Sequence, residues 1–181
     1  MTRTAAVPAL LATLTLLAAC EVADVTTPPV NITPKVPGDA VGLDVYARPR
    51  ARGNPVPRFR GQETVTVRTR GTGAQGGSTE ITGLACQLDS GIYTARFQTP
   101  ANVIVPNYGP NSPALFIRCT HPDGRSGSST VTVYNATAEQ RSQNAAGGGL
   151  LGAVIVGAIN AARTDPERDE FKYRNATVSV K

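Results

Sequence analysis

The chain has 181 residues, a formal net charge of +5, 18 glycines, 14 prolines and no tryptophan. Aromatic residues make up 5%, and the wealth of Gly, Pro, Thr and Val argues against a helical bundle and for short strands around a modest aliphatic core. The positive charge implies non-specific attraction to anionic surfaces and fixes no fold.

Met1 to Thr4 carry one cation, Arg3, and Val7 to Ala19 then run apolar apart from Pro8, Thr13 and Thr15. A span of a bilayer needs about 20 apolar residues, so this stretch is too short for one. Its cationic start, apolar middle and small-residue end are those of a secretory signal peptide over residues 1–19. The end, Leu17-Ala18-Ala19-Cys20, resembles the lipobox of bacterial lipoproteins. There a cysteine thiol is diacylated before cleavage, and the small residues let the peptidase close on the chain. The resemblance implies a membrane anchor at an acylated Cys20, since two or more acyl chains suffice for stable attachment. Glu21, rather than Asp, favours the outer membrane, facing the periplasm.

Cleavage leaves 162 residues, the size of one domain with a tail. Residues 20–38 read as the acylated Cys and a Pro-rich tether, with Pro28, Pro29, Pro34 and Pro37 and no helical period. Fully extended, about 18 such residues reach roughly 50 Å. Residues 39–181 read as the β-rich domain.

A first strand is expected at Val41–Tyr46, followed by the basic stretch Arg48-Pro-Arg50-Ala-Arg52-Gly-Asn-Pro-Val-Pro-Arg58-Phe-Arg60. Its prolines make it a loop or edge segment. Arg48, Arg50, Arg52, Arg58 and Arg60 are candidates for contact with lipopolysaccharide phosphates or phospholipid headgroups, because guanidinium forks match phosphate oxygens. The competing and favoured reading is a solvated loop whose charge protects a sheet edge. Glu63–Arg70 alternates cleanly, with Val65 and Val67 on one face. Gly71–Gly77 lacks the Lys-Ser/Thr ending of a phosphate-binding loop, so nucleotide binding is not expected. Further strands are expected at Glu80–Leu88, Gly91–Gln98, Ala101–Val105, Ala114–Thr120 and Ser129–Tyr134.

With Cys20 acylated, Cys86 and Cys119 remain, and in an oxidising compartment such a pair is expected to be bridged. A redox or metal role fits poorly, because the chain has no Cys-x-x-Cys and one His. The block from Cys86 through Gly91, Thr99-Pro100 and Val103-Ile-Val105 to Cys119 resembles a group of uncharacterised bacterial lipoproteins. Their core is similar to the PEGA-type β-sandwich, and a Gly-rich apolar segment follows it. The resemblance spans roughly Ala85 to Val180, implies an envelope-associated module, and brings no catalytic residues with it.

Gly147–Ala162 is that Gly-rich segment here. As a helix it sets Gly149, Ala153, Gly157 and Ala161 on one stripe, where small residues let a second backbone approach closely. Two readings stand: a helix packed on the sheet, or a surface for self-association or membrane contact. Tyr173–Val180 reads as a closing strand.

His121 lies in Thr-His-Pro-Asp-Gly, a turn sequence, and no Ser is marked as an activated nucleophile. No cluster has metal-ligand spacing. The expectation is therefore a mainly β protein, a small antiparallel β-sandwich with one Gly/Ala-rich helix, behind a signal peptide and a flexible tether. It is expected to be a non-enzyme without cofactor or metal. It would act as a structural or binding module toward an envelope protein, the cell wall or lipopolysaccharide, with no nucleic-acid partner. The alternative is an accessory or cryptic hydrolase using His121.

Overall fold

The alternation of apolar and polar residues becomes two facing sheets in the computed structural model, which describes residues 22–72, 76–145 and 164–181. The first sheet contains β1 (Val30–Asn31), β3 (Gly61–Thr72), β4 (Ser78–Glu80), β7 (Ala101–Asn107) and β12 (Ala176–Ser179). Its order is β1-β7-β3-β12, with β4 also beside β3. The second contains β2 (Thr33–Pro34), β5 (Ala85–Asp89), β6 (Tyr93–Gln98), β8 (Leu115–Thr120) and β9 (Ser126–Val131), in the order β2-β6-β5-β8-β9. A small ribbon pairs β10 (Val133–Asn135) with β11 (Phe171–Tyr173).

The second sheet is antiparallel throughout. The first is antiparallel at its centre, while β1 lies parallel to β7 and β12 parallel to β3. Both parallel strands come from chain ends that reach the sheet over long connections, so the hairpin constraint that enforces antiparallel pairing does not apply to them.

Period-two burial builds the core. In β3 the residues Val65, Val67 and Thr69 point inward and Thr64, Thr66, Arg68 and Arg70 outward. Val103, Val105 and Val178 join them from the first sheet, facing Leu88, Tyr93, Leu115 and Ile117 of the second. Each of these side chains, fully buried, stabilises the fold by about 1.5–3 kcal/mol. The one hydroxyl in the β3 stripe is satisfied. Thr69 Oγ1 bonds Thr99 Oγ1 at 2.7 Å and donates to the Ile81 carbonyl.

The two sides of the sandwich are closed differently. On one side the N-terminal segment switches sheets: Val30-Asn31 pairs with β7, Ile32 is buried at the crossing, and Thr33-Pro34 pairs with β6. Upstream, Ala23 is held on the outer face of the first sheet. Its N–H donates to Glu80 Oε2 at 3.0 Å and its carbonyl accepts from Arg68 Nη1 at 2.7 Å. Residues 22–38, read from their prolines as a tether, are thus extended but docked at several points. Pro34 is accommodated because β2 lies at a sheet edge, where a missing N–H costs no ladder bond. On the other side β12 runs against β9. Val180 N–H donates to the Arg70 carbonyl at 2.7 Å and Lys181 N–H to the Ser126 carbonyl at 3.3 Å.

Several expected elements move. Val41–Tyr46 forms a turn bridged between Val41 and Asp44, with Gly42 at φ +58°, rather than a strand. Its alternation has no neighbouring strand to satisfy; Val45 is buried instead by donating its N–H to Tyr108 Oη at 2.9 Å. The basic stretch contains one helical turn, α1 (Ala47–Ala51). The expected strand Glu80–Leu88 divides into β4 and β5, because the chain changes sheet near Gly83, at φ +76°. A helix, α2 (Ala136–Ala145), begins at Asn135, whose Oδ1 accepts the Ala138 N–H at 2.8 Å. Asn is a strong N-cap because it satisfies a backbone donor of the first turn. The helix expected at 147–162, with Gly149, Ala153, Gly157 and Ala161, lies outside the described residues, as do the signal peptide and Cys20.

Gly127 in β9 marks how closely the two sheets meet. A Cβ there would lie 2.1 Å from the Ser179 carbonyl oxygen, a backbone atom that cannot swing away. Gly127→Ala is therefore expected to destabilise the fold by about 2–3 kcal/mol, read as a shift of the urea unfolding midpoint.

Candidate functional site

The second sheet owes its two faces to one register. Cys86 of β5 stands directly opposite Cys119 of β8, with Cα atoms 4.1 Å apart, and the two are joined by a disulfide. Both sulfurs point into the core. A slip of one residue would exchange the inward and outward sets, so the bridge also fixes what the sheet shows to solvent. Closing a loop with a sequence separation of 33 contributes roughly 3–4 kcal/mol by restricting the unfolded chain.

The outward residues fall into cross-strand rows. Arg96, Gln87, Arg118 and Ser128 form one row across β6, β5, β8 and β9. Thr94, Asp89, Phe116 and Thr130 form the next, and Gln98, Ala85, Thr120 and Ser126 a third. Of these, Gln87, Arg96, Arg118, Asp89, Phe116 and Thr120 line a shallow cavity of about 480 Å³. Phe116 is 47% exposed, an aromatic ring at a position the strand pattern assigns to solvent.

The electrostatics of this face are one-sided. Lys35 Nζ sits 2.8 Å from both oxygens of Asp89. That ammonium, aided by the Gly91 N–H, lowers the Asp89 pKa and neutralises the carboxylate. Arg96 and Arg118 are exposed, and among the described residues neither guanidinium makes an ion pair or hydrogen bond. Two uncompensated cations therefore flank Gln87.

The basic stretch is spent differently. Arg50 pairs with Asp44 at 2.7 Å and donates to the Pro57 carbonyl at 2.6 Å. Arg52 pairs with Asp39 at 2.9 Å. Arg60 donates to the Pro166 carbonyl at 2.6 Å and lies 3.5 Å from Glu167. Only Arg48 and Arg58 of the five are exposed without an ion pair among the described residues. Three arginines therefore hold loops together, and the stretch is not an open patch of five charges.

A second cavity, of about 440 Å³, lies by Arg60, Glu63, Asn107, Asp169 and Lys172. Its polar groups bond one another. Glu63 accepts from Asn107 Nδ2 and, at 2.8 Å, from the Tyr173 N–H. Asp169 accepts from Asn135 Nδ2 at 2.7 Å and from Arg141. This cluster ties α2 and β11 to the first sheet.

His121 occupies the turn between β8 and β9, and its Nδ1 lies 2.8 Å from Asp123 Oδ1. The Asp123 carboxyl is held at about 2, chiefly by the Arg125 N–H with the Arg125 and His121 side chains. Among the described residues no hydroxyl is hydrogen-bonded to His121. A comparison of the chain with family models, with curated proteins and with solved structures finds no match to any of them.

β6 and β8 lie where their alternation puts them, but counting cysteines says nothing of the outward residues between them. The signal was present in Tyr93-Thr-Ala-Arg-Phe-Gln98 and Leu115-Phe-Ile-Arg-Cys-Thr120. Both strands carry Arg at outward positions, and Phe116 breaks the polar set. That Arg96 and Arg118 share a row needed the register of both with β5.

The knot around Asp44 yields a pH dependence. Burial raises the Asp44 pKa, but the Arg50 hydrogen bonds and charge, the Tyr46 N–H and the Tyr108 hydroxyl outweigh it, and the net shift is downward. A carboxylate with a depressed folded pKa contributes stability that is present above its ordinary value of 3.8 and is lost as pH falls through the folded value. Asp44→Asn is expected to cost about 2 kcal/mol at neutral pH and to flatten the loss of stability below pH 3.8. Urea unfolding across that range checks both.

Proposed function

We propose that the chain is an envelope lipoprotein, anchored by an acylated Cys20 in the outer membrane and facing the periplasm. In this reading it is a non-catalytic binding module, and its binding surface is the outer face of the second sheet. The Leu17-Ala18-Ala19-Cys20 motif behind an apolar run supports the anchor. So does the resemblance of the Cys86-to-Cys119 block to envelope lipoproteins. The docking of Ala23 carries the orientation. It is bound to Arg68 and Glu80 on the outer face of the first sheet, and the three residues from Cys20 reach at most about 11 Å.

The module therefore rests on the membrane with the first sheet toward the lipid, instead of standing off on a long tether. The second sheet lies about 10 Å further out. Its cavity turns away from the bilayer, toward an envelope protein, the cell wall or lipopolysaccharide. The hydrolase reading draws on the 2.8 Å contact between His121 and Asp123, the orienting half of a triad; among the described residues no hydroxyl partner supports its other half.

Intact mass of the protein taken from membranes tests the anchor. The expected species begins at Cys20, carries acyl chains, and gains the mass of two hydrogens when the Cys86–Cys119 bridge is reduced. A Cys20→Ala form should leave the membrane fraction. An unacylated mature chain would overturn the reading and leave a soluble protein with a free thiol.

A further inference from the structure

We propose that the outer face of the second sheet binds an anionic saccharide, with its acid group held between Arg96 and Arg118 and its ring against Phe116. The inference rests on reading that face as a binding surface, and it adds the class of ligand.

Three observations carry it. Arg96 and Arg118 are both cross-strand neighbours of Gln87. Their Cα atoms are therefore two strand spacings apart, roughly 9–10 Å. Long side chains rooted on either flank reach over the intervening strand toward one anion, and the planar fork of each matches phosphate or carboxylate oxygens. The one carboxylate on the face, Asp89, is taken by Lys35, so no internal group competes for the pair.

Phe116 supplies the second element. It stands in the row beside this pair, two residues from Arg118 along β8, and offers an apolar ring next to the cationic fork. The third element is the neutral remainder of the face: Gln87, Gln98, Thr94, Thr120. Amides and hydroxyls both donate and accept hydrogen bonds, which is the requirement set by sugar hydroxyls. The cavity of about 480 Å³ suits a mono- or disaccharide. A peptide strand is a poorer occupant, because it would add to a sheet edge through backbone bonds, and a sheet face offers none.

The test is calorimetric titration of the full mature chain in detergent micelles with a glucosamine disaccharide carrying a 1-phosphate. The unphosphorylated disaccharide and inorganic phosphate serve as the comparison ligands. The phosphorylated disaccharide should bind more tightly than either. Arg96→Gln and Arg118→Gln should each weaken it by about tenfold or more, with melting temperature unchanged because both side chains are exposed. Phe116→Ala should weaken the sugar phosphate and leave inorganic phosphate unaffected. Arg58→Gln, which removes the same charge from an exposed unpaired arginine elsewhere, should change little.

Equal binding of the unphosphorylated disaccharide would overturn the arginine clamp. Equal binding of inorganic phosphate would overturn the saccharide. An Arg58→Gln loss as large as that of Arg96→Gln would reduce the effect to overall charge, and absence of binding would end the proposal outright. If the mass shows acylation and no saccharide binds, the ligand assignment falls and the anchor stands. Binding by an unacylated chain would do the reverse.

Discussion

One covalent constraint organises the half of the molecule that faces away from the proposed anchor. The bridge between Cys86 and Cys119 joins two directly opposed residues of neighbouring strands, so it locks alignment as well as proximity. Between β5 and β8 the inward residues are Cys86, Leu88, Leu115, Ile117 and Cys119, with no ring among them to key one strand against the other. Between such strands a two-residue slip keeps every apolar side chain inside and costs little shape complementarity. The bridge removes that degeneracy between β5 and β8 and so fixes Arg118 beside Gln87. The tight β5–β6 hairpin sets Arg96 on the other flank of Gln87.

The sandwich solves its edge problem without a long barrel closure. Free strand edges invite pairing with other chains. Here one side is crossed by the N-terminal segment, which pairs with one sheet, turns through Ile32 and pairs with the other. The opposite side is closed by a close approach of backbone, at Gly127 against Ser179, that a side chain would block. Polar clusters then fasten the loops: Asp44 with Arg50 and Tyr108 at one corner, Asp169 with Asn135 and Arg141 at another. Arg50, Arg52 and Arg60 of the basic stretch are structural cross-links, so charge counted along the chain overstates what that stretch offers to solvent.

How much of this was legible in the sequence follows from the range of the interactions. Period-two strands such as Glu63–Arg70 and Ala114–Thr120 declare themselves locally, because their alternation is the burial pattern. The cysteine pair was legible from counting alone. Val41–Tyr46 carries the same alternation and forms no strand: among the described residues no strand pairs with it, and the N–H groups of Val41, Val45 and Tyr46 go to Asp44 and Tyr108 instead. The Pro-rich residues 22–38 read as free because prolines exclude a helix; what the pattern could not show was the empty edges of β6 and β7 waiting for an extended chain. α2 was missed for the opposite reason. Its sequence, Ala-Thr-Ala-Glu-Gln-Arg-Ser-Gln-Asn-Ala, is polar almost all round, so it gives little amphipathic signal; Asn135 is a local start signal that alternation does not register, and the Asp169 contacts are made by the fold.

If the chain is anchored at Cys20 as proposed, the docked N-terminal segment has a consequence for how the domain would be released. Many surface proteins are shed by a cut in an exposed stalk, after which the body drifts away intact. The exposed stretch here, around Val36 and Val41, lies after β1 and β2, so a protease cutting there would leave both strands on the anchored stub. The body would remain held to that stub by strand pairing and by Ile32. Once separated, it would carry a vacated slot along β7 and β6 that accepts the same peptide back. Cleavage would thus convert a covalent attachment into a reversible one, and the slot in the released body would report that it had been cut.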